Sequence, residues 1–255
     1  MLEKIGTFHF ETASYLLDFR GKATIPMIGN YLMHAAWNHA SRRGFGFADM
    51  TEKRSMWVLS RLAMEITRYP EASEPIQLHT WIDEVGRLFT NRCFEMVDRN
   101  GAPIAYARSI WAAIDLQTRR PIPLNEEGLK VYLADKTCLI DKPGKIPSIE
   151  NETQGIDYKV KYSDLDINGH FNSIKYMEHL IDLFDLELFR KKEISRFEIA
   201  YLSEGAYNMP LTLHLKEASP DTYLMAICHE GKAICRAKTV WGRFLEESNE
   251  INKKT

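Results

Sequence analysis

Asp166, Asn168 and His170 stand at alternate positions directly before an apolar helical pattern, and Glu204 closes an alternating segment, 197–204, further along the chain. A carboxylate, an amide and an imidazole sharing one cleft would make the chain a hydrolase. An extended backbone turns alternate residues to a common side. The N–H groups at a helix start are unpaired and partly positive, which favours the oxygen of a carbonyl under attack. The same residues also read as ordinary structure. Asp166, Asn168 or Asn172 could cap the helix, His170 could lie on the surface, and Glu204 could be an exposed strand end before Gly205. Spacing alone does not separate the two readings.

Composition narrows the chemistry. The chain has 255 residues, 45% of them hydrophobic, enough for one large core or two modest ones. A net charge of -2 gives no basic surface for nucleic acid. Cys93, Cys138, Cys228 and Cys235 show no CxxC spacing and no apolar signal segment opens the chain, so reduced thiols in the cytoplasm are expected, with no metal. Charges interrupt every apolar run, which excludes a membrane-spanning helix. No GxSxG elbow, P-loop, HExxH or dinucleotide glycine fingerprint is present, and no cofactor is expected.

The elements that must position these residues come twice. Ile28, Tyr31, Leu32, Ala35, Ala36 and His39 recur at helical spacing, and the pattern stops near Gly44 and Gly46. Strand-like runs follow at 57–69, 76–83, 88–98 and 104–116, with Asn100-Gly101 as a hairpin turn. The second half repeats the order. Ile174, Met177, Ile181, Phe184 and Leu188 mark a helix, and runs at 196–203, 211–217, 223–229 and 233–244 mark strands. Ser60-Arg61 resembles Ser195-Arg196, Asn30-Tyr31-Leu32-Met33-His34 resembles Lys175-Tyr176-Met177-Glu178-His179, and Gly101 and Trp111 flank a strand as Gly231 and Trp241 do. Their shared order points to a duplication.

Two α+β units are therefore expected, at 1–124 and 156–245, their sheets able to join side by side. A Pro-containing crossover linker lies between them at 125–155, with one short helix near 126–135, and a polar frayed tail at 246–255. Aligning the helices sets Thr24 and Ile25 opposite Gly169 and His170, and aligning Ser60 with Ser195 sets Tyr69 opposite Glu204. On this alignment the first half lacks both the polar cluster and the glutamate, so one half would react while the other shapes a pocket.

At these residues the chain resembles the acyl-acyl carrier protein (ACP) thioesterases, a family of plant enzymes and bacterial relatives. Asp164-Leu165-Asp166-Ile167-Asn168-Gly169-His170-Phe171-Asn172-Ser173-Ile174-Lys175-Tyr176 looks like the family's DLDxNxHxNxxKY segment. Ser60-Arg61, Arg68-Tyr69-Pro70, Thr80-Trp81 and Ser109-Ile110-Trp111 look like its strand segments. The resemblance implies a double hotdog, with each helix wrapped by an antiparallel sheet. It puts the catalytic roles on Asp166, Asn168, His170 and Glu204. Plant members carry a cysteine after the glutamate. This chain has Gly205, which argues against a thiol nucleophile.

The activity so implied is hydrolysis of fatty acyl-ACP thioesters in fatty acid biosynthesis. Glu204 would activate water, Asn168 and His170 would hold that water or polarise the carbonyl, and Asp166 would orient its neighbours. Direct attack by the carboxylate stays open. The partners are the acidic carrier protein and a fatty acyl chain, and a homodimer is open because hotdog units often associate. The first half would form much of the acyl tunnel, with Ile28, Leu32 and Trp37 as lining candidates that also read as ordinary core. The rivals are an acyl-coenzyme A thioesterase and a non-catalytic acyl-binding module.

Overall fold

The computed structural model describes residues 3–150 and 154–243, so the tail at 246–255 and Phe244 lie outside the described residues. The chain divides into two compact units, Met1–Pro143 and Gly144–Thr255. The first contains β1 (Gly6–Glu11), α1 (Ile25–Ser41), α2 (Phe47–Glu52), β2 (Ser55–Ile66), β3 (Pro75–Val85), β4 (Phe89–Val97), β5 (Pro103–Asp115) and α3 (Glu126–Lys130). Its strands pair antiparallel in the order β1-β3-β4-β5-β2. The second contains β6 (Ile156–Lys159), α4 (Ser173–Ile181), α5 (Leu186–Lys191), β7 (Lys192–Tyr201), β8 (Pro210–Ser219), β9 (Thr222–His229) and β10 (Lys232–Arg243). Its order, β6-β8-β9-β10-β7, is that of the first unit strand for strand.

The matched dipeptides mark one repeated device. Ser60 is the extra residue of a β-bulge where β2 pairs with β5, and Ser195 is the extra residue where β7 pairs with β10. Across each bulge stands a tryptophan whose indole N–H is held two residues back, Trp111 by Ser109 Oγ at 2.7 Å and Trp241 by Thr239 Oγ1 at 3.1 Å. The helix match, in contrast, is shifted by three residues. Tyr31 packs on Phe10 with ring centroids 4.3 Å apart and His179 on Tyr158 at 4.2 Å, so Tyr31 corresponds to His179 and not to Tyr176. A shift of three is close to one helical turn of 3.6 residues, so the apolar stripe looks almost the same in either register.

Helix α1 starts at Thr24, whose hydroxyl accepts from Met27 N–H, with Pro26 in the first turn. It buries Ile28 and Leu32 against Met64, Leu78, Phe94 and Met96 of β2, β3 and β4, enclosing a cavity of about 10 Å³. Trp37 is not part of this interior: it is half exposed and stacks on Phe47 at 5.3 Å. The second helix is interrupted. After α4 ends at Ile181, the Asp185 carboxylate accepts from Glu187 N–H and starts α5 separately.

Residues 125–150 divide between the two units, and parts of them cover sheet faces. Trp81, on the face of β3 opposite α1, donates its indole N–H to Lys136 O, and Ala134 N–H bonds to Ile82 O. Beyond Pro143, Ile146 and Ile149 pack on Ala200, Leu224 and Cys228 of the second unit. All four cysteines are free, three of them buried.

At the end of α1, His39 is fully buried. Its Nδ1 lies 3.0 Å from Arg92 Nη1 and its Nε2 lies 3.2 Å from Lys4 O. Because a guanidinium only donates, Nδ1 accepts and Nε2 carries the proton of a neutral ring. Burial, then the Arg92 and Arg43 charges, lower its pKa to about 3. An unfolded histidine near pKa 6.5 binds the proton that the folded one refuses, so this stability is complete above pH 6.5 and drains as pH falls toward 3. The loss is at most about 1.4 kcal/mol per pH unit. Urea midpoints should therefore fall between pH 6.5 and 5, and His39→Gln should flatten that slope; parallel slopes for the two proteins would refute the assignment.

Candidate active site

The predicted residues lie on a turn that the backbone folds back on itself, not on an extended segment. Asp166 N–H bonds to His170 O at 2.8 Å, and Gly169 N–H to Asp166 O at 3.0 Å. The chain reverses at Gly169, which has φ +75°, a conformation that costs glycine little. The Asp166 carboxylate points inward, where Oδ1 accepts from Asn168 N–H at 2.8 Å and His170 N–H at 3.1 Å. Asp166 is therefore a staple of the loop. Its staple leaves Asn168 exposed and His170 partly exposed at the rim.

Glu204 reaches the same rim from the end of β7. Phe171 N–H donates to Gly205 O at 2.9 Å, and His170 pairs with Ala206 in an isolated antiparallel bridge. This places His170 Nδ1 3.8 Å from Glu204 Oε1, with the side chains 32% and 41% exposed. At that separation, open to solvent, one water can be shared between imidazole and carboxylate. Two tyrosines, Tyr176 buried and Tyr201 partly buried, fix the surroundings. Tyr201 O–H donates to Ser173 O at 2.8 Å, and Tyr176 O–H points to Ser203 O at 3.4 Å. Burial, above all, pushes both phenols well up, so neither ionises near neutral pH.

Asn172 caps α4 by accepting from Ile174 N–H, which assigns the capping role among the candidates to Asn172 and leaves Asn168 and His170 out of it. One residue that spacing did not single out, Asp164, lies beneath the loop. It is 3% exposed. Burial raises its carboxyl, but hydrogen bonds from Lys161 N–H, Tyr158 O–H and His179 outweigh burial and hold it below the ordinary carboxylate range.

The first unit does carry a counterpart of the polar loop, contrary to the expectation from the helix alignment. Asp18 N–H bonds to Lys22 O and Gly21 N–H to Asp18 O, while Asp18 Oδ1 accepts from Arg20 and Lys22 N–H and Ala23 N–H bonds to Pro70 O. Asp18, Arg20, Gly21 and Lys22 thus stand where Asp166, Asn168, Gly169 and His170 stand. The Arg20 guanidinium is spent on Asp18 Oδ2, at 2.8 and 2.6 Å, and Tyr69 takes the place of Glu204. The shared signal was legible as Leu-Asp-x-x-Gly at Leu17 and at Leu165.

Two α+β units, each with a helix held on a five-stranded antiparallel sheet and one with this His–Glu rim, define a double-hotdog protein. The chain belongs to the acyl-ACP thioesterase family. The family's N-terminal domain matches residues 4–132 and its C-terminal domain residues 148–243. A crystal structure of an acyl-ACP thioesterase from Bacteroides thetaiotaomicron is similar over 94% of this chain and 98% of that one, at 41% identity and a TM-score of 0.87. The 12:0-ACP thioesterase from Umbellularia californica shares the fold over 96% of this chain and 99% of its own, at 23% identity and a TM-score of 0.81. A chloroplastic palmitoyl-ACP thioesterase of Cuphea hookeriana is 25% identical over 91% of this chain and 61% of its own length. The chain spans half to about three fifths of the first curated relatives it matches.

Gly205 is required by packing. A Cβ there would lie 2.8 Å from Phe171 Cβ and 3.2 Å from the Tyr176 hydroxyl, and Phe171 is buried. Gly205→Ala should therefore lower unfolding free energy by about 1–3 kcal/mol, the usual range for overpacking. Thermal melts with the parent protein check it, and an unchanged melting temperature would show that the loop yields freely.

Proposed function

We propose that this chain hydrolyses fatty acyl-ACP thioesters, releasing the free fatty acid and the carrier thiol in fatty acid biosynthesis. The observation that carries the reading is the His170–Glu204 approach at a solvent-open rim, in a member of this family. In the reaction, Glu204 takes a proton from a water held against His170, and the water oxygen adds to the thioester carbonyl carbon. Asn168 and His170 hold the water and polarise the carbonyl, and Asp166 keeps their backbone in place. Collapse of the tetrahedral adduct breaks the C–S bond, and the proton passes to the leaving thiolate. A cysteine nucleophile has no place at position 205.

The acyl chain occupies the apolar interior of the N-terminal unit, where each methylene removed from water contributes about 0.8 kcal/mol. A 10 Å³ cavity holds about one water, so the flexible Met64 and Met96 side chains must move to admit the chain. Among the described residues no helix is long and apolar enough to cross a membrane. The four free thiols favour a reducing compartment, the cytoplasm.

Replacing Glu204 by Gln should lower kcat by about 10²–10⁴-fold, the range for loss of a general base, with the melting temperature retained. Normal turnover of an acyl-ACP by this variant would end the assignment. Assayed side by side, acyl-ACP should be used at higher kcat/KM than the same acyl chain on coenzyme A, and its kcat/KM should fall with added salt because the carrier is acidic. A preference for the coenzyme form would instead make the protein an acyl-coenzyme A thioesterase.

A further inference from the structure

Beneath the loop lies a polar cluster that the proposed reaction does not consume. Asp164 Oδ2 accepts from Tyr158 O–H at 2.7 Å and from Lys161 N–H at 2.8 Å, and Oδ1 lies 3.2 Å from His179 Nε2. Its backbone carbonyl accepts from Asn172 N–H at 2.8 Å. One residue therefore ties together β6, the two ends of the loop and α4 two turns from its start. The rings continue the connection. His179 packs at a tilt on Tyr158 at 4.2 Å and meets Phe171 at 5.7 Å, and Phe171 packs at a tilt on Tyr176 at 4.1 Å. Phe171 is the residue whose N–H holds Gly205, the neighbour of Glu204.

The first unit supplies an internal control. Its loop repeats the bonds that close the turn and join it to the strand end, without a counterpart of the bond from Asn172 N–H to Asp164 O, and Leu16 stands where Asp164 does, Phe10 where Tyr158 does and Tyr31 where His179 does. There Tyr31 O–H merely bonds to Glu11 O at 3.1 Å. The fold of the loop does not require a buried carboxylate and imidazole beneath it. They occur only in the unit that carries His170 and Glu204.

We propose that Asp164 and His179 are positioning residues, which act through Phe171 to set the approach of His170 to Glu204. The proposal rests on the reading of His170 and Glu204 given above. A buried carboxylate held by two other donors orients His179, and the imidazole in turn packs against Phe171 at 5.7 Å, tilted by 41°. Small displacements of reacting groups cost large factors in rate, so the pair governs kcat more than substrate binding.

The test compares His179→Phe, which keeps a packed aromatic ring and loses the N–H, with His179→Gln, which returns a donor near the place of Nε2. Turnover of acyl-ACP is measured well below each variant's melting temperature, alongside Glu204→Gln. His179→Phe should lose at least about tenfold in kcat with KM within about twofold of the parent, and His179→Gln should recover most of it. The His170 ring resonances should shift in His179→Phe and return in His179→Gln. If His179→Phe does not fold, Tyr158→Phe removes a single hydroxyl from the same cluster and should still lower kcat several-fold. Parental kcat in His179→Phe or Tyr158→Phe, or equal kcat losses in the Phe and Gln variants that track their melting temperatures, overturns the proposal. An inactive Glu204→Gln beside a fully active His179→Phe overturns only this inference; an active Glu204→Gln overturns the site and this inference together.

Discussion

The hydrogen bond from Phe171 N–H to the Gly205 carbonyl is the contact on which the candidate site depends. It joins two segments that are far apart in the chain, the loop before α4 and the end of β7, and it brings His170 and Glu204 to one rim. The approach is possible because residue 205 has no side chain: any Cβ would press on Phe171. Everything around the bond limits its freedom. Asp166 closes the loop from inside, Asn172 starts the helix, and Tyr176 and Tyr201 brace the strand end from below.

The duplication shows how the same frame serves two ends. Both units bend their sheets at a serine bulge opposite a tryptophan, and both precede the helix with a loop stapled by an aspartate. The difference lies in a few side chains. In the first unit Arg20 is neutralised by Asp18 and Tyr69 stands at the strand end, whereas in the second the amide, imidazole and carboxylate are left toward solvent. The backbone of the loop thus occurs twice, and side-chain chemistry confines the proposed reaction to one copy.

Much of this organisation was legible in the sequence. Hydrophobic periodicity located the helices and most strands, because burial of one face imposes a period of 3.6 or 2 on the apolar residues. The repeated Ser-Arg pairs lay on a real structural repeat because a bulge constrains the residues at it. Short edge strands β1 and β6 were not legible. β1 alternates in burial but over only six residues, β6 has four residues and little burial, and their pairing partners supply most of the reason they are strands. The helix register was misread by three residues because an amphipathic stripe nearly superposes on itself after one turn.

By itself, the sequence determined the residue types of the site, the presence of a helix cap among Asp166, Asn168 and Asn172, and the twofold order of elements, since each rests on local backbone preference or on periodic burial. Only the tertiary structure decided that Asp166 faces the backbone and that Trp37 lies outside the apolar interior. It also decided that the first unit has a polar loop of its own and that Asp164 and His179 meet beneath the second. These depend on which distant segments pack together, and contact between residues separated by tens of positions leaves no periodic trace in one chain.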